Sequence, residues 1–104
     1  MSGPDLTIGR GVIAEVARLA ALEVPDVLCV GRGGPRWRVV LSGPPIAIRV
    51  RRDEVSIRLW LIARPGADLV ATAGAVRATV AAAIERLLGL SIGGVTVVID
   101  GVGG

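Results

Sequence analysis

The sequence contains no histidine, lysine, tyrosine or phenylalanine, and its only cysteine is Cys29. Histidine, lysine and tyrosine are the usual activators of serine, threonine and cysteine nucleophiles, so their absence argues against ordinary side-chain catalysis. One cysteine without histidine cannot supply the ligands of a zinc site. The nine carboxylates are scattered, and none of them has the spacing of a Ca²⁺-binding loop. We therefore predict a protein that is not an enzyme and that uses no metal or cofactor.

A single cysteine also excludes an internal disulfide framework and is typical of a reducing compartment. Because Cys29 stands in the apolar run VLCV, we expect it to be a small buried hydrophobic residue. The N-terminus lacks the charged-then-apolar pattern of a signal peptide. The longest apolar region, residues 69–90, is interrupted by Arg77, Glu85 and Arg86, which a membrane span tolerates poorly. These absences predict a cytoplasmic protein without a membrane span.

Aliphatic residues and arginine dominate what is present. The 104 residues are 52% hydrophobic, and Trp37 and Trp60 are the only aromatic residues. A chain of this length can bury one aliphatic core, so we predict a single domain over residues 1–104. All twelve cations are arginine, and eight of them fall between Arg32 and Arg64, where only two acids occur. This basic middle indicates either an anionic partner or simply a solvated surface.

The stretch IAIRVRRDEVSIRLWLIA, residues 46–63, alternates apolar and polar residues on both sides of a charged interruption at Arg52-Asp53. This pattern predicts two half-buried strands that are joined as a hairpin. Three aliphatic pairs then share one face of the hairpin, namely Val50 with Val55, Ile48 with Ile57, and Ile46 with Leu59. A shift of the strand pairing by one residue would expose one of the two sets of aliphatic side chains to water, so the pattern specifies this register.

Two segments with helical periodicity flank the hairpin. The first is predicted over residues 12–23 and ends before Pro25, since the residue before a proline disfavours the helical conformation. The second is predicted from an N-cap at Asp68 to about Leu88, with Gly89 as its terminator. Its predicted apolar face comprises Leu69, Val70, Ala73, Val76, Val80, Ala83, Ile84 and Leu87.

Shorter strands complete the prediction. They are a buried strand over Val27 to Val30, candidate strands at Leu6 to Ile8 and at Trp37 to Leu41, and a last strand over Val95 to Val102. The second helix connects the hairpin to the last strand as a β-α-β crossover, which makes that strand parallel to the second hairpin strand. We predict a two-layer α+β sandwich with a mixed β-sheet, a central antiparallel hairpin and two helices packed on one face.

The polar face of the hairpin is the candidate binding surface. In the predicted register it carries arginines beside a tryptophan, a combination that serves both phosphate binding and protein interfaces. The candidate residues are Arg36, Trp37, Arg38, Arg49, Arg51, Arg58, Trp60 and Ile62. A third interpretation is a solvated strand face on which a loop covers Trp60. The sequence alone does not choose among phosphate binding, a protein interface and this solvated face.

Three stretches resemble the alkaline-shock-protein family, the small Gls-type general or envelope stress response proteins of Gram-positive bacteria. GVIAEVARLAALEVPDVLCV, residues 11–30, is similar to the family's opening helix and following strand. VSIRLWLIARPGADL, residues 55–69, is similar to its long strand and the glycine turn into the second helix. VRATVAAAIERLLGLSIGGVTVVIDGV, residues 76–102, is similar to its closing helix and valine-rich strand.

The resemblance implies a scaffold without enzymatic activity that takes part in cell-envelope homeostasis and in alkaline or general stress. Its expected partners are other copies of the chain or related family members, including a membrane-anchored relative that would bring this cytoplasmic protein to the membrane. The resemblance gives no binding residues to carry over. The alternative function is binding of nucleic acid or another polyanion through the arginine-rich face.

Overall fold

The computed structural model describes residues 9–35, 37, 41 and 43–103. Its elements are α1 (Arg10–Leu22), β1 (Val27–Val30), β2 (Ile46–Arg51), β3 (Glu54–Ala63), α2 (Leu69–Ala83) and β4 (Ser91–Val102). The candidate strand at Leu6 to Ile8 lies outside the described residues. So do the inner residues of the candidate strand at 37–41, whose two ends, Trp37 and Leu41, have helical backbone. The α+β fold is confirmed.

β3 is the central strand of the sheet. β2 pairs with it antiparallel, with Val50 opposite Val55 and Ile48 opposite Ile57, which is the register predicted from the sequence. β1 pairs antiparallel with the far end of the same edge of β3. β4 runs parallel to β3 along the whole of the other edge. The sheet is therefore mixed, and among the described residues β4 forms one of its outer edges.

Both helices cover one face of this sheet. The core residues of β3 alternate along the strand and are almost fully buried: Val55, Ile57, Leu59, Leu61 and Ala63. They pack in one cluster with side chains of both helices, including Ile13, Ala17, Val76, Val80 and Ile84. Because the chain has no phenylalanine or tyrosine, the hydrophobic cluster of the described residues is aliphatic, as predicted. The opposite face of the sheet, here called the outer face, is not covered by α1 or α2.

The helices differ from the prediction at the start of α1 and in the buried face of α2. α1 begins at Arg10, two residues earlier than predicted, and α2 begins after Asp68, whose carboxylate accepts the predicted capping bond from the N–H of Ala71 at 3.1 Å. After Ala83 the helix widens into a π-helical turn that ends at Gly89 in the left-handed conformation, with φ 67°. The predicted apolar face of α2 is wrong at Leu69, Val70 and Leu87, which are exposed. Thr72 is buried in this helix instead.

β4 is longer than the sequence indicated. It begins at Ser91 rather than Val95, so that the Gly93-Gly94 pair lies inside the strand. The register with β3 shifts there, since Ile92 pairs with Val55 and Gly94 with Ser56. A Cβ atom at Gly93 would lie 3.2 Å from the side chains of both Glu54 and Ser56. The glycine thus permits a close approach within a bulged strand.

Cys29 is exposed, so the expectation that it is buried was wrong. Val27 pairs with Ala63 but Cys29 pairs with Ile62, which leaves Leu28 as an extra residue in a β-bulge. In a regular strand Cys29 would point to the same side as Val27, into the core. The bulge reverses this alternation and places the thiol on the outer face.

Candidate functional site on the outer face

A shallow groove of about 420 Å³ crosses the outer face from β2 over β3 to β4. Its polar lining consists of three arginines and two hydroxyl residues, with a tryptophan at one end: Arg49, Arg51, Arg58, Ser56, Thr96 and Trp60. The sequence had predicted that Arg49, Arg51, Arg58 and Trp60 share this face, and the structure brings the four together. Whether they bind a ligand remains a prediction.

Strand pairing explains why there is room for a groove. Arg58 lies opposite Ala47, and Arg49 lies opposite Ser56, so each long side chain faces a short one across the β2–β3 pair. On the other side of β3, the bottom of the groove is lined by Gly94 and Thr96, which are also small residues. The long arginine side chains therefore form the sides of the groove, and small residues form its bottom.

The groove is electropositive. No carboxylate of the described residues lines it. Within the described part of the chain the one ion pair joins Arg18 to Glu15 on α1, where the hydrogen bonds from Arg18 hold the pKa of Glu15 below its usual value. Glu54 is the nearest acid in the pairing, directly opposite Arg51, but it forms no ion pair with that arginine in this structure. Three guanidinium groups on one face, with Glu54 as the neighbouring carboxylate, leave an excess of positive charge that attracts anions.

Trp60 at the end of the groove is half-buried, because Arg32 lies over it. The guanidinium carbon of Arg32 is 3.6 Å from the centroid of the Trp60 ring, which is a close cation–π contact. The preceding residue anchors this arrangement, since the N–H of Gly31 donates to the carbonyl oxygen of Trp60 at 2.9 Å. Arg32 Nε is buried and has no hydrogen-bond partner among the described residues.

Residues 31–34 form a strap over this end of the outer face. The N–H of Gly33 donates to Oδ2 of Asp100 at 2.7 Å. Asp100 is an extra residue in β4, because Ile99 pairs with Leu61 and Gly101 with Ile62, and this bulge lets its carboxylate reach the strap. Ile62 lies beneath the strap and the glycines of β4, with Cδ1 3.5 Å from the position that a Cβ of Gly33 would take.

The remaining candidate residues are placed differently. Trp37 is described and is 67% exposed, whereas Arg36 and Arg38 lie outside the described residues. Ile62 is half-buried under the strap and does not line the groove. Sequence reasoning did not single out Arg32. The sequence indicates a role for Arg32 only through its position shortly after β1. A residue there must lie close to the segment of β3 with which β1 pairs.

A second groove, of about 480 Å³, lies between the helices on the other side of the molecule. It is lined mostly by alanine and aliphatic side chains, and Leu19 and Leu87 at its rim are 51% and 63% exposed. Glu23 and Arg86 are its charged lining residues. The sequence analysis had assigned Leu87 to the core and therefore missed this surface.

The described residues offer neither a metal site nor a membrane-spanning helix. No group of three or more histidine, cysteine, aspartate or glutamate side chains is arranged there to hold a metal ion. No helix in the described part of the chain has the length and apolar character needed to cross a membrane.

Comparison with protein families identifies the family of this chain's sequence. The model of the ASP23 family, described as having a cell envelope-related function, matches residues 3–103. The match agrees with the three stretches that resemble the alkaline-shock-protein family and covers nearly the whole chain. No curated protein and no solved structure gives a significant match.

Proposed function

Because the chain belongs to the ASP23 family, whose function is related to the cell envelope, we propose that it is a non-enzymatic scaffold that self-associates or docks to related proteins. The contact surface in this proposal is the free edge of β4. A family member with a similar edge strand could replace the second copy, and a membrane-anchored one would bring this cytoplasmic protein to the envelope.

The long unpaired edge of β4 is the observation that supports this function. β4 has 12 residues and pairs with β3 along one side only. Its other side has no strand partner in the described residues, so it presents a row of free backbone N–H and C=O groups. Such an edge is a template for strand addition by another chain.

The edge also lacks most of the features that keep edge strands apart. Proteins protect free edges with proline, with charged side chains, with short strands or with β-bulges. The two bulges of β4 lie near its ends, outside the segment from Val95 to Ile99. β4 contains no proline, and Asp100 is its one charged residue. That carboxylate is bound to the strap. The central part, from Val95 to Ile99, is aliphatic apart from Thr96. We infer that antiparallel pairing of two β4 strands joins two sheets into one.

Light scattering after gel filtration tests the proposal. The wild-type chain is expected to elute as a multimer at low and high salt, because backbone pairing and aliphatic contact are not screened by salt. Val98→Lys, on the outer face of β4, should give a smaller species, since two such strands would bring like charges together. Val70→Lys is the matched control, because Val70 lies on α2 and is 84% exposed.

A wild-type monomer at all salt concentrations would contradict self-association. A multimer that Val98→Lys leaves intact would show that β4 is not the contact. Far-ultraviolet circular dichroism of both variants establishes that each is folded before the comparison is made.

A further inference from the structure

We propose that the groove on the outer face binds single-stranded nucleic acid through its phosphates, without reading the bases. The site consists of Arg49, Arg51 and Arg58 as anion ligands, with Arg32 at the end of the groove. This inference is independent of the scaffold function, because it concerns a face of the sheet and not its edge.

Charge is the first argument. Three guanidinium groups and two hydroxyls line the groove, and no carboxylate of the described residues lines it. Guanidinium groups bind phosphate oxygens in a bidentate manner, and hydroxyls such as those of Ser56 and Thr96 add hydrogen bonds to phosphate. All three arginines are exposed, so they can reach a ligand without first leaving an internal partner.

The spacing of the three arginines favours a polymeric ligand that carries one negative charge per repeating unit over a ligand with a single charge. Arg49 and Arg51 are two residues apart on one strand, which separates their Cα atoms by roughly 7 Å. Arg58 is diagonal to Arg49 across the neighbouring strand, at a Cα separation of roughly 7–8 Å. A phosphodiester strand carries a charge on each nucleotide and can engage the three arginines in succession. An acidic peptide would need closely spaced carboxylates to do the same.

The state of Trp60 argues against base recognition. Proteins that bind single strands through their bases stack them on exposed aromatic rings. Here one face of the Trp60 ring is already covered by Arg32, at 3.6 Å. No other aromatic residue lines the groove. Binding should therefore depend on phosphate contacts and be insensitive to base identity.

Arg32 extends the site. Its guanidinium is held over Trp60, whose own side chain lines the groove, and its Nε has no hydrogen-bond partner among the described residues. An anion at this end of the groove would reach that buried donor only by displacing Arg32 from Trp60, and would then give it an acceptor. Occupancy of the groove should then alter the Arg32–Trp60 contact and with it the fluorescence of Trp60.

The experiment measures binding of a fluorescein-labelled oligothymidylate by fluorescence anisotropy over a range of salt concentrations. Three phosphate contacts predict that log K falls with log salt with a slope of about −2, and each arginine removed should reduce the slope by about 0.7. The double variant Arg49→Glu with Arg58→Glu should weaken binding at least tenfold. Arg10→Glu with Arg77→Glu makes the same change in net charge on the helices and should have little effect.

Two further measurements identify the ligand and the site. Oligoadenylate should bind within a few-fold of oligothymidylate, and in a Trp37→Phe background the oligonucleotide should change the emission of Trp60. Two anionic ligands of other chemistry are tested for binding alongside the oligonucleotide. They are polyglutamate and vesicles of anionic phospholipid. The proposal is overturned if the groove and helix variants lose binding equally, if the slope is near zero, or if vesicles or polyglutamate bind and the oligonucleotide does not.

Discussion

Oδ2 of Asp100 in β4 accepts a hydrogen bond of 2.7 Å from the backbone N–H of Gly33, 67 residues earlier in the chain. This bond fastens the strap to the sheet and is part-buried. Asp100→Ala removes the acceptor and leaves the N–H of Gly33 unpaired, which should lower the free energy of unfolding by about 1–3 kcal/mol. Urea denaturation measures this change. Asp53→Ala, in the exposed hairpin turn, is the control and should have little effect.

Gly33 itself should not tolerate a side chain. A Cβ atom there would lie 2.4 Å from the backbone oxygen of Asp100, so the strap would have to move. Gly33→Ala should therefore release Arg32 from Trp60 and change the emission of Trp60 in a Trp37→Phe background. Gly31→Ala is the matched control, because its nearest atom to a new Cβ is Sγ of Cys29 at 4.0 Å. Equal spectra for the two variants would contradict the role assigned to Gly33.

Two glycines of the second helical segment should respond to alanine in opposite directions. Gly74 lies inside α2, and a Cβ there meets nothing closer than the side chain of Arg77 at 3.8 Å. Gly74→Ala should thus raise the free energy of unfolding by about 1 kcal/mol, the difference in helix propensity. Gly89 has φ 67°, so Gly89→Ala should lower it by roughly 1–2 kcal/mol. Thermal unfolding of both variants checks the signs.

The ion pair on α1 predicts a small pH dependence. Hydrogen bonds from Arg18 lower the pKa of Glu15 in the folded chain. The pair therefore contributes stability above the unfolded-state pKa of Glu15, and this contribution is lost as the pH falls through the lower folded-state pKa. Arg18→Ala should raise the pKa of Glu15, which a carboxyl titration by NMR measures directly. An unchanged pKa would show that the pair does not persist in solution.

The hairpin shows how far sequence reasoning reaches in this fold. The alternation of residues 46–63 has a period of two and only one register that buries both aliphatic sets, so the pairing of Ile48 with Ile57 followed from the sequence. The same rule brought Arg49, Arg51 and Arg58 to one face. Local chemistry was equally predictive at Asp68 and Gly89, where the cap and the terminator are defined by single residues.

The wrong predictions about the strands arose where a strand departs from regular alternation. Cys29 is exposed because of the bulge at Leu28, and β4 begins early because it contains a bulge at Gly93. A bulge inserts one residue, and its position depends on the partner strand, which is distant in sequence. The contact between Arg32 and Trp60 was missed for the same reason. It requires knowing that β1 pairs with the far end of β3.

Hydrogen exchange of the β4 backbone amides, followed by mass spectrometry at low and high protein concentration, tests the central claim most directly. Amides on the free edge of β4 are open to solvent in the monomer and hydrogen-bonded when a second β4 strand is added. Self-association through this edge predicts that exchange over Ser91–Val102 slows as concentration rises and that Val98→Lys abolishes the effect. A multimer in which exchange of β4 is independent of concentration would contradict the account.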